Sequence, residues 1–127
     1  MRNKVVILIL VFFSIASVIG CKKGIKATCA DKIENLKLEK TDIGVSFMVE
    51  CPADCTTGSI WGTDTYTMDS AVCLAAVHAG IVPADKGGIA TITITKSLPS
   101  YKGSERNGVK SNDWSSSWGD KAFTVSK

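Results

Sequence analysis

Five cysteines, four of them beyond the N-terminal apolar run, and one histidine are the residues of this 127-residue chain whose types could do chemistry. Cys51 and Cys55 stand four apart, Cys73 follows, and His78 comes five residues later. Three sulfurs and an imidazole can hold zinc, and a thiol beside an imidazole can serve as nucleophile and base. Both chemistries need reduced sulfur. Cys29 completes an even set of four, which in an oxidising compartment reads as two disulfides instead. The choice rests on where the chain works.

The N-terminus speaks to that. Met1 to Lys4 carries two positive charges, and Val5 to Ile19 is apolar apart from Ser14 and Ser17. The run is shorter than the roughly 20 residues a membrane span needs, and small residues follow it, so residues 1–20 read as a secretory signal. Export disfavours the zinc and thiol readings, and no metal or other cofactor is expected. Without residues 1–20 the balance is 13 basic against 12 acidic side chains, net +1, so net charge gives no argument for a nucleic-acid partner.

Cys21 is the odd cysteine, placed at the point of cleavage. Val18-Ile19-Gly20-Cys21 resembles the lipobox of bacterial lipoproteins. The resemblance implies that the Cys21 thiol carries diacylglycerol and its freed amine a fatty acid such as palmitate. Each buried methylene contributes about 0.8 kcal/mol, so two or three chains hold a protein where one does not. Residues 21–28 then form a lipidated tether. Its Lys22, Lys23 and Lys26 suit either solubility or weak attraction to anionic headgroups. The expected location is the bacterial cell envelope, at the outer membrane or cell surface.

Behind these residues must stand elements that position them. Val45, Phe47 and Val49 alternate as one face of a strand. Cys51 to Cys55 is a tight turn, and Ile60-Trp61 between Gly58 and Gly62 reads as a short strand. Ser70 to Ala79 is the one good helix, with Asp69 or Ser70 available to cap it and Gly80 to end it. It is apolar nearly all round, which predicts burial. Ile89 to Thr95 alternates most clearly of all. Leu98 to Gly108 is loop-like, Ser111 to Gly119 is rich in Ser and Trp, and Ala122 to Ser126 closes the chain as a strand. The fold class is α+β.

Three strings now become specific. They are Cys51-Pro52-Ala53-Asp54-Cys55, Ile60-Trp61-Gly62-Thr63-Asp64-Thr65-Tyr66, and Ser70-Ala71-Val72-Cys73-Leu74-Ala75-Ala76-Val77-His78-Ala79-Gly80. With Gly87-Gly88, Tyr101-Lys102-Gly103-Ser104, Asn107 to Ser111 and Ala122 to Val125, they closely resemble the LCCL domain over residues 27–127. This chain departs from the pattern mainly in a longer stretch between Cys29 and Cys51.

The resemblance implies a domain over residues 29–127, with a central buried helix wrapped by two small antiparallel β-sheets and two disulfides. It also implies pairing in chain order, Cys29 with Cys51 and Cys55 with Cys73, where the residues alone allow three pairings. His78 reads as a packing or hydrogen-bonding residue, and no catalytic residue is assigned. The resemblance implies a non-enzymatic binding module for lipid, lipopolysaccharide or glycan. Tyr101, Lys102, Arg106, Asn107 and Lys110 with Trp114 are the candidate ligand contacts, since basic and amide groups near an aromatic suit an anionic or sugar ligand. The alternative is a structural or host-interaction lipoprotein with a protein partner. Trp61 is expected in the core, whereas Trp114 and Trp118, among serines, fit either core or surface.

Overall fold

The computed structural model describes residues 24–127. Residues 1–20, expected as a signal, and Cys21, expected to carry lipid, lie outside the described residues. Among those described, no helix is long and apolar enough to cross a membrane.

Among the described residues eight strands and one helix follow one another. The strands are β1 (Ile25–Lys26), β2 (Ser46–Cys51), β3 (Gly62–Thr63), β4 (Thr65–Thr67), β5 (Gly88–Lys96), β6 (Glu105–Arg106), β7 (Val109–Lys110) and β8 (Lys121–Ser126). The helix α1 (Val72–His78) lies between β4 and β5. The larger sheet has the order β1-β2-β5-β8-β4-β3, and β6 and β7 make a separate two-stranded sheet. This is the expected α+β architecture with one refinement. The six-stranded sheet has a parallel edge, because β1 pairs parallel to β2 while its other pairs are antiparallel. A parallel pair needs a crossover connection of a dozen or more residues. The long segment between Cys29 and β2 provides it, turning through Asp31 to Gly44 and inserting the fully buried Ile33 into the core.

The alternation of β5 does what its pattern predicts: Ala90, Ile92 and Ile94 are fully buried. Register places Val49 of β2 opposite Ala90, and Phe123 of β8 opposite Ile94. This apolar face belongs to the same core cluster as α1, all seven of whose residues are buried.

The helix begins later than its pattern suggests. Ala71 is the N-cap residue, and no side chain caps it. Ser70 Oγ accepts the backbone N–H of Trp61 instead (3.0 Å), and Asp69 accepts from Thr67 Oγ1. Ser70 is thus taken by Trp61 and Asp69 by Thr67 two residues before it, so neither caps the helix. At the other end Gly80, at φ +76°, ends the helix as expected. Its N–H bonds Val77 O at 2.9 Å and the Ile81 N–H bonds Ala76 O at 3.0 Å, the two bonds of a Schellman motif.

The disulfides correct the expected pairing. Cys29 bonds Cys55 and Cys51 bonds Cys73, with Cα atoms 5.1 and 5.4 Å apart. Cys51 ends β2 two residues beyond Val49, so it shares the buried face and meets the second residue of α1. The Pro52–Asp54 turn then carries Cys55 away from that face to Cys29, which follows β1. Gly87, at φ +68°, makes the turn possible, because a Cβ there would collide with the carbonyl oxygen of Cys51 and the backbone of Pro52.

Candidate functional site

The loop expected to bind ligand is a small hairpin. Asn107 and Gly108, at φ +51° and +77°, form the tight connection between β6 and β7. Val109 is buried beneath it in the core cluster shared with α1.

His78, fully buried, is the post on which the hairpin is mounted. Its Nε2 faces the Ser104 carbonyl oxygen at 3.0 Å. A carbonyl only accepts, so Nε2 carries the proton, and Nδ1 accepts from the Tyr66 hydroxyl at 2.8 Å. Asn107 Nδ2 donates to the His78 carbonyl at 3.0 Å. Ser104 and Ser111 cross-bond, the Ser104 N–H to Ser111 Oγ and the Ser111 N–H to Ser104 O, both at 2.8 Å. Thr63 Oγ1 donates to the Lys102 carbonyl at 2.9 Å. Burial pushes the Tyr66 phenol up to about 12.

Of the candidate ligand contacts, three are engaged in structure. Tyr101 is buried, and its hydroxyl accepts the Leu98 N–H at 3.0 Å and meets Ser97 Oγ at 2.9 Å. Asn107 is tied to His78 through its amide. Arg106 is half-exposed and paired with Asp64 at 2.9 Å, the hairpin's link to the β3–β4 turn. Lys102 and Lys110 are exposed. Lys110 lines a shallow groove of about 270 Å³ with Gly103, Ser104, Ser111 and Asn112, where the carboxylates of Glu105 and Asp113 also lie. Asp113 accepts the Gly103 N–H at 2.6 Å, which closes one end of the groove.

Trp114 stands beside this loop, its backbone paired with Tyr101 through bonds of 2.7 and 2.8 Å. The sequence reading stops at Trp114, but the structure adds neighbours. Trp114 and Trp118 are both exposed and meet edge to face, with centroids 5.3 Å apart at 82°. With Trp61, Thr67 and Asp69 they line a cleft of about 120 Å³. Trp61 is therefore at the cleft wall, not deep in the core. The one signal available for Trp118 was its spacing, four residues after Trp114 in a serine-rich segment.

Among the described residues every cysteine sulfur is engaged. Cys29, Cys51, Cys55 and Cys73 are all in disulfides. Among the described residues no group of three or more His, Cys, Asp or Glu side chains could hold a metal ion.

A helix tied by one disulfide to a six-stranded sheet, a second disulfide beside it and a hairpin mounted on the last residue of the helix define the class as a small cystine-stapled α+β domain. The LCCL domain model matches residues 27–121, and the chain belongs to the LCCL domain family. It is similar to clotting factor C of Tachypleus tridentatus, 39% identical over 74 residues, which cover 57% of this chain and 7% of that protein. Human vitrin is 41% identical over 71 residues, covering 54% of this chain and 10% of vitrin. Human cysteine-rich secretory protein LCCL domain-containing 2 is 33% identical over 82 residues, 61% of this chain and 16% of that protein. The chain thus spans less than a fifth of the length of these relatives.

Proposed function

We propose that this chain is a non-enzymatic binding module, held at a bacterial cell envelope through lipidated Cys21, that recognises an anionic lipid, a lipopolysaccharide or a glycan. The carrying observation is the mounted hairpin. It is pinned through Ser104 to His78 and Ser111, Lys102 and Lys110 are exposed on it and its flank, and Trp114 pairs with Tyr101, the residue before Lys102. A rigid mount lowers the ordering cost of binding, and exposed cations beside an aromatic attract an anionic headgroup or a charged sugar. Engaged sulfurs and a histidine with both ring nitrogens bonded support a role in recognition over catalysis.

The test pairs Lys102→Ala with Lys110→Ala and measures binding to phosphatidylglycerol vesicles, lipopolysaccharide and a glycan array. Each cation near an anionic surface contributes about 1 kcal/mol, so the double variant should bind roughly thirtyfold more weakly. Unchanged binding on all three would overturn the reading. A protein captured from intact cells whose binding survives the double variant would favour the host-interaction alternative. Mass spectrometry of the mature N-terminus tests the anchor: a chain beginning at an acylated Cys21 is expected, and one retaining Met1 removes the envelope assignment.

A further inference from the structure

We propose that the cleft between Trp61, Trp114 and Trp118 takes a quaternary ammonium group, with Asp69 as its counter-charge. The inference goes beyond the hairpin reading, because its ligand is a cation where Lys102 and Lys110 attract anions.

Three features of the cleft select that chemistry. Its walls are indole rings, and Trp114 and Trp118 stand nearly perpendicular. Perpendicular rings make a corner that surrounds a compact group, whereas a flat sugar stacks best across one open face. The ring quadrupole attracts cations, most strongly for Trp. Next, the cleft is small: about 120 Å³ lies well below the roughly 300 Å³ where sites for drug-sized ligands begin, and it suits a single headgroup.

The third feature is the polar inventory. The Trp61 N–H donates to Ser70 Oγ at 3.0 Å, Ser70 Oγ lies 2.9 Å from Thr67 Oγ1, and Thr67 Oγ1 donates to Asp69 Oδ1 at 2.5 Å. With Thr67 donating to Asp69, Ser70 must donate to Thr67, so the relay has one direction and ends on the carboxylate. It fixes Asp69 relative to Trp61 and leaves the cleft without a free hydroxyl donor. A pyranose needs several hydrogen-bond partners and an unmethylated ammonium brings N–H donors that indole walls leave unsatisfied. A methylated ammonium has neither requirement. The adjoining hollow that shares Asp69 and Trp118 carries Glu34 and Glu39 against one cation, Lys32, so its charge balance is also negative.

Such a group could come from a free choline-like solute or from a choline lipid headgroup. Tryptophan fluorescence and calorimetry on the lipid-free mature protein, with choline and tetramethylammonium as probes, test the site. Sodium, ammonium and methyl glucoside at matched ionic strength are the controls. Saturable binding of both methylated cations is expected, with none for the controls. Trp118→Ala should abolish it. Asp69→Asn keeps the Thr67 bond and should weaken it roughly fivefold. Lys102→Ala with Lys110→Ala should leave it unchanged, so failure here and failure of the hairpin reading are distinguishable. Competition by phosphatidylcholine vesicles, but not by phosphatidylglycerol vesicles, assigns the lipid source, and its absence with choline still bound assigns the solute. Where Trp118→Ala disturbs near-UV circular dichroism, Asp69→Asn decides. No saturable response to choline, equal response to ammonium or methyl glucoside, or full binding by a folded Asp69→Asn protein overturns the proposal.

Discussion

His78 and Tyr66 illustrate how single side chains hold this molecule. The imidazole joins the helix end to the hairpin, and the phenol beneath it is fully buried with its pKa raised to about 12. An acid whose folded pKa lies above its unfolded value, near 10, keeps its proton longer in the native state. Its contribution to stability is complete below pH 10 and is lost as pH climbs toward 12. Thermal unfolding followed across that window should show the melting temperature falling. In an ultraviolet titration the Tyr66 phenol should ionise above the ordinary tyrosine range. Tyr66→Phe should remove its share of the alkaline fall, at a cost of about 1–2 kcal/mol near neutrality because Nδ1 of His78 loses its donor. An unaltered alkaline profile in that variant would contradict the assignment.

At the level of elements, the hairpin β6–β7 depends on a close approach of its flanks. A Cβ on Gly103 would strike the Ser111 carbonyl oxygen and the backbone of Asn112, and backbone cannot step aside as a side-chain tip can. Gly103→Ala should therefore cost about 1–3 kcal/mol in chemical denaturation and weaken whatever Lys102 and Lys110 bind, although neither lysine is altered. A variant with wild-type stability would mean that the flanks are looser than drawn. The same scale explains which elements could be read in advance. The alternation of β5 and the apolar surround of α1 reflect burial directly, so residue types reveal them. The two-residue strands β6 and β7 are too short to carry a period, and only the Asn107-Gly108 turn marked them. The absent side-chain cap on α1 was equally hidden, since nothing local says that Ser70 is needed by Trp61.

For the whole molecule, the two covalent links decide how much of a modest core must do alone. They close separations of 26 and 22 residues, each worth about 3 kcal/mol in the chain-entropy account. Replacing Cys51 and Cys73 together with serine should lower stability by about that amount and free the second residue of α1 from the end of β2. Proteolysis between Cys51 and Cys55 alone, without reduction, should leave the two pieces joined by both bonds, and further cuts between Cys29 and Cys51 and between Cys55 and Cys73 should release one peptide pair joined through Cys29 and Cys55 and another through Cys51 and Cys73. Recovery of the in-order pairs would overturn the observed connectivity.

Residue types along the chain were enough to identify the buried helix, the central strand, the α+β class and an even cysteine set suited to cross-linking. Each follows from burial or from parity, which local pattern encodes. Which sulfurs meet was a matter for the tertiary structure. The in-order and the observed pairings close loops of similar length, so chain entropy separates these two by only roughly a few tenths of a kcal/mol. The face of β2 on which Cys51 lands decides instead. The tryptophan cleft belongs to the same category: Trp61, Asp69, Trp114 and Trp118 come from distant segments, and only the pairing of Trp61 with Asn112 and of Tyr101 with Trp114 brings them to one wall.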